Sequence, residues 1–469
     1  MAKAIEVEAA RAEVLARVRL TDAEEVGLDE ALGRRLAVDA VADAPFQPFD
    51  NSAMDGFAVR AGDLAGAGED SPVALAIVDE SRAGHPATRA LGPGEAIAIS
   101  TGAMLPDGAD AVVRVEDTER DPDSPSEPGV ATRSERGGGA PSVRGGEARV
   151  ADAVSARPAD VRRPADVPPA ADVPPTSSDG AVERVLVRVV ISPDENVRRA
   201  GEDIAAGETV VRAGAELGPA ELGALATIGL DPAPVHRRPR VAVLTSGDEL
   251  TPPGRPLGPG GIRDSNSRTV PALARLAGAE VVSVDWTPDD PAATRAALER
   301  ALEADVAIVC GGVSVGEHDH VKAALAELGA EEVFWRVALK PGGPTWFGTR
   351  GGTLVFGLPG NPVSVMVTFL TFVRPALLAM TGGDPATRRT TARLGADYEK
   401  PTDRAHAVRC RLELDERGWV AWALPRQGSH VLTSMLAADA LALIPTESAG
   451  LAAGATVEVE LLDRASMGR

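Results

Sequence analysis

The feature that most constrains the fold is the stretch 240–380, where fully apolar segments of strand length alternate with helical segments. The apolar segments are VAVLT, VVSVD, DVAIVC and TLVFG, and the helical ones include SRTVPALARLAGA, DPAATRAALERALEA and HVKAALAELGA. Strands without polar positions are buried on both faces, so the pattern predicts a parallel sheet covered by helices on each side. Ligands of such sheets bind at the carboxyl ends of the strands.

Polar and flexible residues follow each of these four strands. They are SGDE (246–249), TPDD (287–290), GGVSVGEHD (311–319) and GLPGNPVS (357–364). Small residues, carboxylates and prolines at these points fit turns and helix starts as well as a binding site. For SGDE both interpretations stay open, and for TPDD a helix cap is the simpler one.

Two of these segments indicate an anionic ligand. The glycines and serine of GGVSVGEHD leave backbone N–H groups free to approach a phosphate, and its acidic pair suits Mg²⁺. The segment FWRVALKPGGPTWFG adds Arg336 and Lys340 before a glycine-rich turn. In an acidic protein, cations beside such a loop favour a ligand with phosphate groups and a divalent cation.

Composition excludes several classes of function. The chain has 469 residues, which suggests three or four domains, and a net charge of −21 disfavours nucleic acid and membrane surfaces. Only Cys310 and Cys410 are present, which fits a reducing compartment. The start, MAKAIEVEAARAEVLARVRL, lacks the apolar core of a signal peptide, so we expect a cytoplasmic protein.

The rest of the chain divides by composition. Residues 73–116 read as short strands, and the last ninety residues as a small β-barrel or sandwich. Residues 119–182 are rich in Pro, Ala, Gly, Ser and Asp, so we expect a disordered insertion. The segment PFDNSAMDGFAVR (48–60) contains two carboxylates and fits either a turn or a site.

Together these segments resemble a known family. The set NSAMDGFAVR, TGAMLPDGADAVVRVED, AGEDI, SGDEL, GGVSVGEHDH, LKPGGPTWFG, GLPGNPVS and QGSH resembles the molybdopterin molybdenumtransferases, which include the catalytic part of gephyrin. The resemblance runs in order from about residue 5 to 465, apart from the insertion. GGVSVGE alone also resembles molybdopterin adenylyltransferases, whereas the opening motif and QGSH distinguish the two families.

The resemblance implies an activity and partners. Family enzymes bind adenylylated molybdopterin, insert molybdenum from molybdate between its two dithiolene sulfurs, and release AMP with the help of Mg²⁺. They are homodimers whose cleft combines the sheet domain of one subunit with the β-rich region of the other. A molybdopterin adenylyltransferase and recipient molybdoenzymes are the implied protein partners, with no nucleic acid and no membrane.

The resemblance also implies residue roles. The implied Mg²⁺ ligands are Asp289 and Asp319. The implied catalytic residues are Asp55, Thr101, Asp203, Glu249, Asp289, Asp319 and Lys340. The implied substrate-binding residues are Gly311, Gly312, Ser314, Asn361, Arg336, Arg409 and Ser429. Among the latter, Arg336, Arg409 and Ser429, with Lys340, match oxyanion-binding positions.

The expected fold is a multidomain α/β plus β protein with a parallel-sheet molybdopterin-binding domain, a β-rich lid region and a C-terminal small β-barrel. The expected boundaries are 1–59 and 190–238 for a helical/β linker domain, 60–118 and 183–189 for the lid, 119–182 for the insertion, 239–385 for the α/β domain and 386–469 for the barrel.

Two departures from the family pattern concern charge. Arg336 stands where many relatives have lysine, and its planar fork favours bidentate contact with an oxyanion. Gly343 stands where a second lysine is common, which removes one cation. Two rival functions stay open at this point: a scaffold, which would gain nothing from carboxylates gathered in a cleft, and an adenylyltransferase, which would need the sheet domain alone.

Overall fold

The computed structural model describes residues 4–121, 183–313, 320–386, 388–401 and 403–462. These form two compact bodies. The first body contains Met1–Ala40, Val211–Ala226 and Leu230–Arg469, and the second contains Val41–Val210 and Thr227–Gly229. Residues 1–40 of the expected linker domain group with the first body and residues 41–59 with the second, and the expected domain boundaries stay predictions.

The second body contains a six-stranded sheet. Its strands are β1 Gly56–Val59, β2 Val73–Ser81, β3 Glu95–Ile99, β4 Ala111–Arg114, β5 Thr118–Arg120 and β6 Arg184–Val187, in the order β4-β1-β3-β2-β6-β5. All neighbours are antiparallel except β2 and β3. The boundary expected after residue 59 separates β1 from its partners β3 and β4. Glu119 and Arg120, expected in the insertion, lie in β5, and residues 122–182 lie outside the described residues.

The first body contains the α/β sheet. Its strands are β7 Arg240–Ser246, β8 Glu280–Thr287, β9 Val306–Cys310, β10 Glu331–Trp335, β11 Trp346–Arg350 and β12 Thr353–Leu358, in the order β8-β7-β9-β12-β11-β10. The four strands expected to be parallel, β8, β7, β9 and β12, are parallel. The sheet as a whole is mixed, because β11 runs antiparallel to both its neighbours.

Helices cover both faces of this sheet, as the apolar strands predicted. The helices of the described ranges are α1 Val7–Leu15, α2 Pro219–Thr227, α3 Asn266–Leu276, α4 Pro291–Ala301, α5 Val321–Glu327, α6 Pro362–Thr368, α7 Arg374–Ala379 and α8 Thr433–Ala437. Val243 and Ile308 pack on one face with α1, α3, α6 and α7, while Leu244 and Val309 pack on the other with α4 and α5.

The C-terminal region is a closed five-stranded barrel. Its strands are β13 Arg389–Leu394, β14 Ala405–Asp415, β15 Gly418–Ala423, β16 Ala440–Ile444 and β17 Thr456–Leu461. They pair in the ring β14-β15-β13-β17-β16-β14, and closure leaves no free edge within the ring. Of the two expected forms, the barrel is therefore confirmed.

Short elements complete the structure. The short strands are Ala23–Val26, Ala40–Val41, Asn51–Ser52, Val197–Arg198, Thr209–Val211, Ala233–His236, Leu250–Thr251, Ile262–Arg263, Leu339–Lys340, Tyr398–Glu399 and Gly450–Leu451. Single 3₁₀ turns occupy Leu28–Glu30, Ala61–Leu64 and Val115–Asp117.

One helical segment is long and apolar enough to cross a membrane by length and composition alone. It is Pro362–Ala379, in which α6 and α7 join through the π-helical turn Phe369–Val373. Within the protein 78% of it is buried, and the core helix of a globular protein passes the same test.

Candidate functional site

The ends of β7 and β8 meet at one edge of the α/β sheet. Ser246 Oγ lies 3.4 Å from Asp289 Oδ1, and the backbone N–H of Asp289 donates to Asp248 Oδ1 at 3.2 Å. The N-cap of α4 is the neighbouring residue Asp290, whose carboxylate accepts from Ala293 N at 2.7 Å. The cap interpretation therefore applies to Asp290, and Asp289 faces the loop after β7. Glu249 is exposed, and its carboxylate folds back beside Gly247.

The glycine pair after β9 allows a close approach to that loop. Gly311 and Gly312 have φ angles of 99° and 67°, a region that favours glycine. A Cβ on Gly311 would lie 2.9 Å from the carbonyl oxygen of Ser246. The N–H of Gly311 donates to Leu358 O at the end of β12. Ser314 and Asp319, predicted in the same segment, lie outside the described residues.

The start of α6 is tied to the start of α3. Asn361 occupies the N-cap position of α6 without a side-chain cap bond. Asn266 Nδ2 donates to Gly360 O at 2.8 Å, while its buried Oδ1 has no partner within the described structure. Asp264, also buried, accepts from Thr245 Oγ1 at 2.9 Å. The sequence reasoning missed Asp264 and Asn266, although the run DSNS before an apolar helix is a recognisable start signal.

Arg336 and Lys340 follow the edge strand β10. Arg336 has a φ of 78°, which typically costs about 1–3 kcal/mol for a non-glycine residue. Backbone bonds hold it on both sides, since its N–H donates to Thr345 O at 2.9 Å and its carbonyl accepts from Ile5 N at 3.0 Å. Lys340 is exposed and, in the short strand Leu339–Lys340, pairs with His406 at the start of β14.

Arg409 has a different environment from the one its predicted role suggests. It is 1% exposed, and burial lowers the pKa of its guanidinium. Its Nε donates to Ser434 Oγ at 3.2 Å, and one terminal nitrogen donates to the carbonyls of Arg426 and Gly428 at 3.3 Å. These bonds support the QGSH loop, which carries Ser429. Ser429 O in turn accepts from Val363 N in α6 at 3.2 Å.

In the second body, the opening motif places Asp55 beside Thr101. Both are exposed, and Asp55 Oδ1 accepts from the Thr101 N–H at 2.7 Å and from its hydroxyl at 3.0 Å. The backbone hydrogen bond, followed by the hydroxyl, lowers the pKa of the Asp55 carboxyl. Asp203 is exposed on a loop whose Gly201 N–H donates to Gln47 O at 3.1 Å. The three motifs of this half of the chain thus lie within one body.

No cluster of three or more His, Cys, Asp or Glu side chains suited to a metal ion occurs in the part of the chain that the structure describes. A cavity of about 500 Å³ lies at the start of α1 and against the barrel. Its lining includes Glu6, Glu8, Glu447 and Glu458, so its charge does not suit an anionic substrate. We therefore place the candidate site at the sheet edge.

Comparison with known proteins identifies the family. Three family models match the chain in order. The MoeA N-terminal region (domain I and II) matches residues 5–229, the probable molybdopterin binding domain matches 242–379, and the MoeA C-terminal region (domain IV) matches 391–462. Molybdopterin molybdenumtransferase 2 of Mycobacterium tuberculosis (strain CDC 1551 / Oshkosh) is 35% identical over 92% of this chain and 94% of its own. Molybdopterin molybdenumtransferase of Haemophilus influenzae is 32% identical over 94% of each chain.

A solved structure agrees with this result. The molybdopterin biosynthesis MoeA protein from Pyrococcus horikosii is 31% identical, with a TM-score of 0.75 covering 98% of this chain and 99% of its own. The family resemblance and the multidomain fold expected from the sequence are both confirmed. The chain belongs to the molybdopterin molybdenumtransferase family, enzymes of molybdenum cofactor biosynthesis.

Proposed function

We propose that the chain inserts molybdenum from molybdate into adenylylated molybdopterin, with Mg²⁺-dependent release of AMP. The observation that carries this proposal is the convergence of Ser246, Asp289 and Gly311 at the ends of parallel strands. Such an edge offers backbone N–H groups to phosphates and carboxylates to a divalent cation. The reaction is assigned to the cytoplasm, which the two buried, unpaired cysteines suit.

The nucleotide end of the substrate is assigned to the sheet edge. Gly311, Gly312 and Ser314 form the phosphate cradle, and Asn361 adds the start of α6. Asp289 and Asp319 hold Mg²⁺, which neutralises charge on the pyrophosphate when it is bound. The donor chemistry of the described part fits, since Mg²⁺ usually takes only one or two carboxylates and completes its shell with water and phosphate. Glu249 positions the adenylate for cleavage.

Molybdate, a dianion, is assigned to the cations and hydroxyl on the barrel side. Arg336 and Lys340 supply positive charge, and Ser429 supplies a hydrogen bond. Arg409 supports the loop of Ser429 through its bonds to Arg426 O and Gly428 O. Metal oxyanion and adenylate held together couple phosphoanhydride cleavage to insertion by proximity.

The remaining catalytic residues are assigned to the partner subunit of a homodimer. Asp55, Thr101 and Asp203 of one chain face the substrate held by the sheet of the other. The Thr101 N–H and hydroxyl keep Asp55 ionised, as the lowered pKa of its carboxyl indicates. An ionised carboxylate at this place supplies a fixed negative charge and a hydrogen-bond acceptor beside the substrate. A molybdopterin adenylyltransferase supplies the substrate, and molybdoenzymes take the product.

A molybdate titration tests the reaction. Purified protein is incubated with adenylylated molybdopterin, Mg²⁺ and graded molybdate, and AMP and pterin-bound molybdenum are measured. The proposal expects both products to rise together and to be lost when Mg²⁺ is chelated. AMP release at a rate independent of molybdate would contradict the coupling of phosphoanhydride cleavage to molybdenum insertion. ATP-dependent transfer of AMP to molybdopterin without molybdate would favour an adenylyltransferase, and substrate binding without either product would favour a scaffold.

A further inference from the structure

Trp335 makes three contacts at the point where the glycine loop and the predicted anion-binding cation approach each other. Its Nε1–H donates to Val313 O at 3.0 Å. Lys322 Nζ lies 3.5 Å from the centroid of its ring, and Arg336 Cζ lies 4.8 Å from the same centroid. One indole therefore contacts the end of the Gly311–Val313 segment, helix α5 and Arg336.

Two opposing forces act on the cations beside this ring. The cations repel each other, whereas each is attracted to the electron-rich face of the indole. The attraction to the ring offsets part of the repulsion between the two cations. Both cations thus contact the residue that is bonded to Val313 O, at the end of the glycine segment.

The backbone at Arg336 reinforces this arrangement. Its φ of 78° is held by hydrogen bonds to Thr345 O and from Ile5 N. The backbone bonds thereby fix the position of the Arg336 Cα, and the indole ring fixes the position of its guanidinium. A guanidinium held at both ends loses less freedom when it binds a ligand, so its affinity is higher.

We propose that Trp335 is a positioning residue for oxyanion binding, which holds the Arg336 guanidinium at a set distance from the Gly311–Val313 loop. The inference rests on the assignment of Arg336 to molybdate made above. Trp335 itself does not touch substrate. It acts through Arg336 by the ring contact and through Val313 by the N–H bond, and so links the oxyanion end of the site to the phosphate end.

The test is a double-mutant cycle of Trp335→Leu and Arg336→Ala in the full chain. Molybdate affinity is measured by calorimetry, and half-saturation and kcat are measured in turnover. Trp335→Leu should weaken molybdate binding about threefold to tenfold, the size expected when a cation–π contact is lost. The effect on kcat should be smaller. In the Arg336→Ala background, Trp335→Leu should have little further effect on molybdate.

Two further variants keep the result interpretable. Trp335→Phe retains a ring without the N–H donor, so its molybdate affinity should lie between those of wild type and Trp335→Leu. Trp419→Leu removes a tryptophan that is 40% exposed on β15, and it should leave molybdate affinity unchanged. Thermal unfolding of each variant separates loss of the ring contact from loss of the fold.

Additive effects of Trp335→Leu and Arg336→Ala, or unchanged affinity in Trp335→Leu, would overturn the inference. If Trp335→Leu fails to fold, equal affinities in Trp335→Phe and wild type would overturn it as well. Failure of the proposed function has a different signature, in which wild type binds molybdate without turnover. Molybdate affinities from calorimetry then test the inference without turnover. Coupled effects of Trp335→Leu and Arg336→Ala on affinity would support it, and additive effects would contradict it.

Discussion

In the first body Ser246, Asp289 and the glycine pair stand at the ends of parallel strands. In the second body the candidate residues stand on loops joined by backbone bonds between distant segments. Ser246 and Asp289 meet because β7 and β8 are neighbours in one sheet. Asp55 and Thr101 meet because Gly102 N donates to Ser52 O at 2.8 Å and Ser52 N to Ala103 O at 3.0 Å. The first arrangement follows from a general rule of α/β sheets, and the second is particular to this chain.

The largest expected effect compares these two regions directly. Asp289→Asn and Asp55→Asn should each lower turnover by about a hundredfold or more, since each removes a fixed charge from the proposed site. Stability should hardly change, because both carboxylates are exposed. AMP release and urea unfolding are the measurements, with the exposed Asp397→Asn, in the barrel region, as a control. Loss of activity in only one of the two would show that only one region serves the reaction.

The second prediction concerns Arg409, which the sequence assigned to the oxyanion and the structure ties to the QGSH loop. Arg409→Met should lower the free energy of unfolding by about 2–4 kcal/mol, since it leaves buried hydrogen-bond partners unpaired. Arg411→Met, on the same strand but exposed, is the matched control. Urea unfolding gives the comparison. Unchanged stability with weaker molybdate binding would instead support direct contact of Arg409 with the oxyanion.

The third prediction uses two adjacent glycines in the KPGGP turn. A Cβ on Gly343 would meet nothing closer than 3.5 Å, whereas one on Gly342 would lie 2.5 Å from Thr368 Cγ2, at a φ of 118°. Gly343→Lys should therefore fold and restore the missing cation, lowering the molybdate concentration for half-maximal turnover about twofold to fivefold. Gly342→Lys should be destabilised. An unchanged molybdate requirement in stably folded Gly343→Lys would remove this turn from the anion site.

The fourth prediction concerns the pH dependence of stability. Burial, followed by the charges of Lys340 and Lys400, lowers the pKa of His406 from 6.5 to about 4. The folded state thus binds fewer protons than the unfolded chain between these values. The contribution of neutral His406 to stability is therefore complete above pH 6.5 and is lost as the pH falls toward 4. His406→Gln should flatten this part of the stability profile. The free energy of unfolding is measured in urea at pH 7 and at pH 5 for both proteins. A change between the two pH values that is equal in wild type and His406→Gln would contradict this assignment.

Much of the first body could be predicted from the sequence because its signal is local. Apolar strands such as 306–310 and helices such as 291–301 form where the pattern indicated. The antiparallel strand β11 was not anticipated, because an apolar run has no direction. Asn266 was missed for a related reason, since its bond to Gly360 O joins residues 94 positions apart.

The second body was less predictable from physical pattern alone. Asp55 stands in a segment that also reads as a simple turn, and only the family motif separated the two interpretations. Its contact with Thr101 depends on segments 46 residues apart, and the loop of Asp203 on segments about 150 apart. Neither periodicity nor composition carries that information. The assignment of these residues to the reaction is correspondingly a proposal about two chains.

The central claim is that the two regions complete one another across a dimer, and subunit complementation tests it most directly. Asp55→Asn and Asp289→Asn chains are expressed with different tags, mixed under exchange conditions, and assayed for molybdate-dependent AMP release. Random pairing makes half of the dimers mixed, each with one intact site of two, so we predict about a quarter of wild-type activity. Activity no higher than that of the separate mutants would contradict a shared site.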